Sequence, residues 1–161
     1  MTAPETPVIA SARPAGPADR LRLAELAAGA RAEYAGQRGG DLFTVRERGG
    51  DAPDLDGAGE VWVGTLADVV VGYAAALVEQ LPDGSRLGVV SDLFVEPPAR
   101  AVGVGECLLR SVVEWCTANG CRGVDATALP GNRAAKNFFE ESGFTARLLV
   151  MHHRLPPAGR D

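Results

Sequence analysis

Residues Val89–Arg110 read VVSDLFVEPPARAVGVGECLLR, and the order of residue types in this stretch decides how the rest of the chain is read. An apolar run ends at Val95, Pro97, Pro98 and Arg100 follow, and Gly103-Val104-Gly105 opens directly into a helical pattern. That order is strand, loop, helix. Gly103, Val104 and Gly105 can turn their backbone N–H groups toward one point without Cβ interference, and the helix they begin adds the positive end of its dipole. Such a loop is an anion cradle, suited to a phosphate or pyrophosphate.

Upstream, Val61–Leu66 and Val69–Glu79 are strand-like runs separated only by Ala67 and Asp68, which predicts an antiparallel hairpin. Pro82, Asp83 and Gly84 supply the next turn, and Leu87–Val95 continues the meander. Nearer the start, Val8–Arg13 is a short strand, Asp19 stands at an N-cap position, and Leu21, Leu23, Leu26, Ala27, Ala30 and Tyr34 recur at helical spacing until Gly36, Gly39 and Gly40. The loop Arg46–Gly59 carries Asp51, Asp54 and Asp56, read either as an acidic gate for a cationic amine or as an ordinary solvated connection. Downstream, a helix over Gly103–Asn119 puts Leu108, Val112, Trp115 and Cys116 on one face. A strand over Gly123–Thr127, a helix over Asn132–Ser142 and a last strand pair, around Phe144 and over Arg147–Leu155, complete the pattern. The expected fold class is mixed α/β: a central, largely antiparallel sheet flanked by helices, one domain over residues 1–161 with loose termini at 1–7 and 156–161.

The chain has 161 residues, and a domain of that size buries roughly 70% of the surface its unfolded chain exposes. Its net charge is −5, and its basic residues are dispersed arginines with Lys136 the only lysine, so no nucleic-acid surface is indicated. Cys107, Cys116 and Cys121 form no CxxC pair, and no histidine completes a metal or nucleophile site with them, so they are expected to be reduced thiols and no metal is expected. Glu5 and the early prolines do not fit a signal peptide, and no apolar run approaches a membrane span. These features predict a cytoplasmic protein, no membrane contact, and a small ligand as partner.

A second pattern, Asn132-Arg-Ala-Ala135-Lys-Asn-Phe138-Phe139-Glu-Glu-Ser-Gly143-Phe144, follows the glycine loop by about one helix and one strand. With Arg100-Ala-Val-Gly103-Val-Gly105 it resembles the GNAT N-acetyltransferase superfamily, whose Arg/Gln-x-x-Gly-x-Gly/Ala loop binds the pyrophosphate of acetyl-CoA. The resemblance implies that the loop Arg100, Ala101, Val102, Gly103, Val104, Gly105 and Glu106 holds the pyrophosphate. It also implies that backbone of Leu93, Phe94 and Val95 pairs with the pantetheine arm, and that Asn132 and Phe139 lie beside that arm. A dinucleotide-binding Rossmann unit would need a glycine at Leu108 and a parallel βαβ start, and has neither.

Acyl transfer needs a neutral amine and a proton for the departing thiolate, and the family usually supplies a carboxylate on the central strand and a tyrosine on the later helix. Ser91 and Phe139 stand at those positions here. Asp92 is the nearest acid, and strand alternation puts it on the face opposite Ser91 unless a bulge intervenes. Tyr34 and Tyr73, the only tyrosines, can supply a proton from elsewhere in the fold, and Ser91 can hold a relaying water; of His152 and His153 only one can face a site. The catalytic candidates are therefore Asp92, Ser91 and Tyr73. What the resemblance implies is an acetyl-CoA-dependent N-acetyltransferase acting by direct attack of a primary amine on the thioester, with a small-molecule or peptide acceptor. The alternative is a non-catalytic acyl-CoA-binding or regulatory domain. A homodimer is common in the family.

Overall fold

A computed structural model describes residues 7–159. The elements run β1 (Ala10–Pro14), α1 (Arg20–Ala35), α2 (Gly40–Arg46), β2 (Glu60–Leu66), β3 (Val69–Gln80), β4 (Arg86–Val95), α3 (Val104–Ala118), β5 (Val124–Asp125) and α4 (Arg133–Glu141). The five strands form one sheet in sequence order, antiparallel from β1 to β4, with β5 parallel to β4. Among the described residues no helix is long and apolar enough to cross a membrane.

The sheet separates two cores. On one face α3 buries Val104, Leu108, Leu109, Val112 and Cys116 against Trp62, Val71, Ala74, Ala76 and Val90. On the other, α1 buries Leu23, Leu26, Ala27 and Ala30 against Val61, Val63, Tyr73, Ala75 and Phe94. Each such large side chain contributes roughly 1.5–3 kcal/mol by leaving water. The β2–β3 hairpin turns on Ala67 and Asp68, both at positive φ (49° and 63°), the pairing a two-residue turn needs to match strand twist.

Several expectations are corrected. The helix Gly40–Arg46 was not anticipated; it forms because Phe43 packs edge-on against Tyr34, 5.2 Å between ring centres, which gives a short segment something to bury. Asp19 sits before α1 as expected but makes no forward cap. Its carboxylate instead accepts from the Gly16 amide (2.8 Å) and, on both oxygens, from the Arg13 guanidinium (2.8 and 2.9 Å). The fifth strand is only Val124–Asp125, and the final strand pair around Phe144 and over Arg147–Leu155 does not form: among the described residues that segment has no ladder partner. The expected loose termini fall at 1–6 and 160–161 outside the described residues, while Pro156–Gly159 are exposed and irregular.

Candidate active site

The β3–β4 ladder pairs Ala75 with Asp92 and Ala76 with Val90, so Ser91 is an extra residue on β4. This bulge reverses the alternation. Gly88 and Val90 face α3, where regular pleating would also send residue 92. Instead Leu93 and Val95 pack on the α3 side, and Phe94 is buried on the α1 side. Asp92 is thereby turned toward α1, where it meets two phenols; Ser91 is exposed at the bulge.

Tyr34 Oη, from the last turn of α1, donates to Asp92 Oδ1 (3.1 Å), and Tyr73 Oη, from β3, donates to Asp92 Oδ2. Tyr73 is fully buried and Tyr34 half-buried. Burial raises the Asp92 carboxyl above the ordinary carboxylate range, against the opposing pull of the Tyr73 and Tyr34 hydroxyls and the Gly50 and Leu93 amides. Burial, and then the charge on Asp92, push both phenols far above their usual range, so both keep their protons. The group is a carboxylate that favours taking up a proton, held by two permanent donors. Tyr34 was legible as one of two tyrosines in the chain; the covering contact from Gly50 had no sequence signal.

The loop around Gly50 is braced from α1. Asp51 accepts from Arg31 and Arg48, both at 2.8 Å, and Asp56 accepts from Arg20 at 3.0 Å. Two of the loop's three aspartates are therefore ion-paired, which favours the structural reading of the loop over an acidic gate.

Beyond Val89 the sheet opens. The parallel β4–β5 ladder consists of Gly88 with Val124 and Val89 with Asp125, while β4 continues to Val95. Among the described residues its edge away from β3 therefore has no ladder partner over Val90–Val95. This exposed edge leads through Pro97–Ala99 into the N-terminus of α3. Gly103 is the residue before α3 at φ 99°, a conformation a side chain would strain, and no side chain caps the helix. Among the described residues the N–H groups of Gly103, Val104, Gly105 and Glu106 donate to no protein acceptor. A Cβ on Gly105 would lie 3.2 Å from the Phe138 ring, so α4 closes against this turn. Four free amides at a 15-residue helix end fit a pyrophosphate, and an unpaired strand edge fits an amide-containing arm.

The remaining predicted residues divide. Val102 is exposed, Val104 is a core residue, and Ala101 adopts positive φ (63°) in the loop. Arg100 turns away from the amides: its Nε donates to the Val95 carbonyl (2.8 Å), its Nη2 to Glu33 (2.6 Å), and its guanidinium lies 5.5 Å from the Phe94 ring centre. It braces the loop against α1. Asn132 caps α4, accepting from the Ala135 amide (3.1 Å), while its Nδ2 reaches Gln37 (3.4 Å). Phe139 packs between Phe138 and Phe144, each 5.4 Å away between ring centres, and brings no hydroxyl to the site. No cysteine is at Asp92. Cys107 donates to the Ala10 carbonyl at 3.6 Å, and burial pushes the Cys116 thiol up to about 11.

The profile of the acetyltransferase (GNAT) family matches residues 24–144. A stretch of 70 residues, 44% of the chain, is 30% identical to an uncharacterized N-acetyltransferase, YhfO, of Bacillus subtilis (strain 168); that match spans 47% of the relative, about half its length. Among solved structures, the aminoglycoside N-acetyltransferase AAC(6')-Iy in complex with CoA superposes with a TM-score of 0.71 at 19% identity, covering 94% of this chain and 97% of that one. A tetramutant of the BH1408 protein from Bacillus halodurans gives a TM-score of 0.75 at 20% identity, covering 89% and 99%. At these identities the structural likeness is one of fold.

Proposed function

Because this chain belongs to the GNAT acetyltransferase family, we propose that it transfers the acetyl group of acetyl-CoA to a primary amine brought to Asp92. The observation that carries this reading is the free edge of β4 running into the uncapped start of α3, with Asp92 on the same strand. When bound, acetyl-CoA supplies the thioester whose acetyl group passes to the amine and the thiolate that leaves. The amides of Gly103–Glu106 bind its pyrophosphate, and the open edge over Leu93–Val95 aligns its arm.

Asp92 takes the proton the amine gives up, and burial, which raises its pKa, makes it a stronger base than an ordinary carboxylate. Tyr73, fully buried, and Tyr34, half-buried, position Asp92 by donating to its two oxygens. Ser91, exposed in the bulge, is placed to hold a water beside them. Attack is direct, since no thiol reaches this carboxylate. The acceptor is a small-molecule or peptide amine, and the three unpaired cysteines fit a reducing, cytoplasmic setting.

Free-thiol release over a panel of amines tests the proposal. Turnover should appear with at least one amine, and Asp92→Asn should lower kcat about 10²–10⁴-fold while acetyl-CoA binding is retained. Phe139, lacking a hydroxyl, favours a second reading: a domain that binds acyl-CoA without turnover. Binding with no thiol release from any amine would establish that instead.

A further inference from the structure

The last turn of α1 sends neighbouring side chains to two different places. Tyr34 donates to Asp92, and Glu33, the residue before it, accepts from Arg100 Nη2 at 2.6 Å. Successive helical residues point about 100° apart, so one turn reaches the carboxylate and the glycine loop together. Arg100 stands just ahead of Gly103 in the chain. Its guanidinium is fixed from three sides, by the Val95 carbonyl at 2.8 Å, by Glu33, and by the Phe94 ring, 5.5 Å away at its centre. A planar fork held in this way gives up little further freedom on pairing with a carboxylate, unlike two free chains on a surface.

The same loop is clipped to the other end of α1. Arg22 donates to Glu96 and, through Nε, to the Val70 carbonyl at 3.0 Å. Arg22 and Glu33 lie about three turns apart on one face of the helix. Between them is Gly29, where a Cβ would come 3.5 Å from the Phe94 ring. The segment from Glu96 to Arg100 is therefore held to α1 by an ion pair at each end. What the two pairs fix is different: Arg22 holds the first turn of the helix, while Glu33 holds the turn whose tyrosine orients Asp92. The charges of this second pair also act on the Tyr34 phenol in opposite senses, Glu33 keeping its proton on and Arg100 favouring its release. Loss of either charge leaves the other unbalanced there.

We propose that Glu33 is a positioning residue for Asp92, a role that rests on the acetyl-transfer reading of this site: paired with Arg100, it locks the Tyr34 turn of α1 to the loop that leads into the free amides of α3. Arg100 then serves the base, not the pyrophosphate. The loop meets acetyl-CoA and the carboxylate meets the amine, so the pair fixes one substrate's seat relative to the other's. An anion ligand and a positioning pair fail differently when removed. Loss of an anion ligand weakens acetyl-CoA binding, whereas loss of the brace leaves binding in place and slows the bound complex.

Glu33→Gln, Arg100→Met and the double variant should each keep the wild-type Kd for acetyl-CoA within about twofold and lower kcat for thiol release about tenfold, the double no further than either single. Tyr34 and Tyr73 are the only tyrosines, so an isotope label at tyrosine Cζ gives two NMR resonances. Glu33→Gln should move that of Tyr34, and that of Tyr73 by less. An unchanged kcat in Glu33→Gln, a double variant whose losses multiply, an Arg100→Met that loses affinity instead of rate, or an unmoved Tyr34 resonance would each overturn the role. The resonance is read without substrate, so it decides even where no amine is turned over. Any of these results beside a wild type that binds and turns over strikes the role of Glu33 alone; a folded wild type that binds no acetyl-CoA overturns the acetyl-transfer reading and this role with it.

Discussion

At the scale of single residues, Asp92 depends on one inserted neighbour. Without Ser91 as a bulge, residue 92 would face α3 and its apolar core; with it, the carboxylate meets Tyr34 and Tyr73. Sequence alternation made this visible only as a condition, because nothing in Val-Val-Ser-Asp-Leu says which residue a ladder skips. The site has a measurable cost. Asp92 binds its proton more tightly folded than unfolded, so stability falls as pH rises from the ordinary carboxylate range through the raised value. Asp92→Asn should therefore melt above the wild type at neutral pH, with the gap closing as pH drops below about 4. A melting difference that does not change with pH would contradict the burial argument.

At the scale of elements, α3 and its loop were legible because a strand, two glycines and an amphipathic face are all local signals. Position 100 was less so: an arginine before a glycine loop reads as an anion ligand, and only the tertiary position of Glu33 and the Val95 carbonyl turns it into a brace. Asp19 is the same lesson at α1. Its place before the helix was readable, but its partners, Arg13 and the Gly16 amide, come from the preceding turn. The Arg13 hydrogen bonds lower its pKa, so its contribution is present above the unfolded carboxylate value and is lost as pH falls through the folded one. Asp19→Asn should destabilise by about 1–2 kcal/mol at pH 7, at the lower end for charged hydrogen bonds because Arg13 is half exposed. In denaturant titrations near pH 3 that difference should shrink markedly; a constant loss would mean the charge is not what holds the turn.

At the scale of the whole molecule, the antiparallel meander and the two covering helices follow from hydrophobic period and turn residues, and the order of elements was readable to within a residue or two at most ends. What was not readable is pairing over distance. The length of β5 and the fate of Arg147–Leu155 depend on which edge is free, and an apolar run signals a strand without naming its neighbour. The same limit holds for the opening beyond Val89, which turns an ordinary strand and a glycine loop into a continuous binding edge. Isothermal titration with acetyl-CoA tests that edge most directly. The wild type should bind, and Gly105→Glu, which sets a carboxylate among the free amides and crowds Phe138, should weaken binding at least tenfold, about 1.4 kcal/mol, with its circular dichroism unchanged. No heat of binding from folded wild type, or equal affinity in the variant, would contradict the assignment of this site.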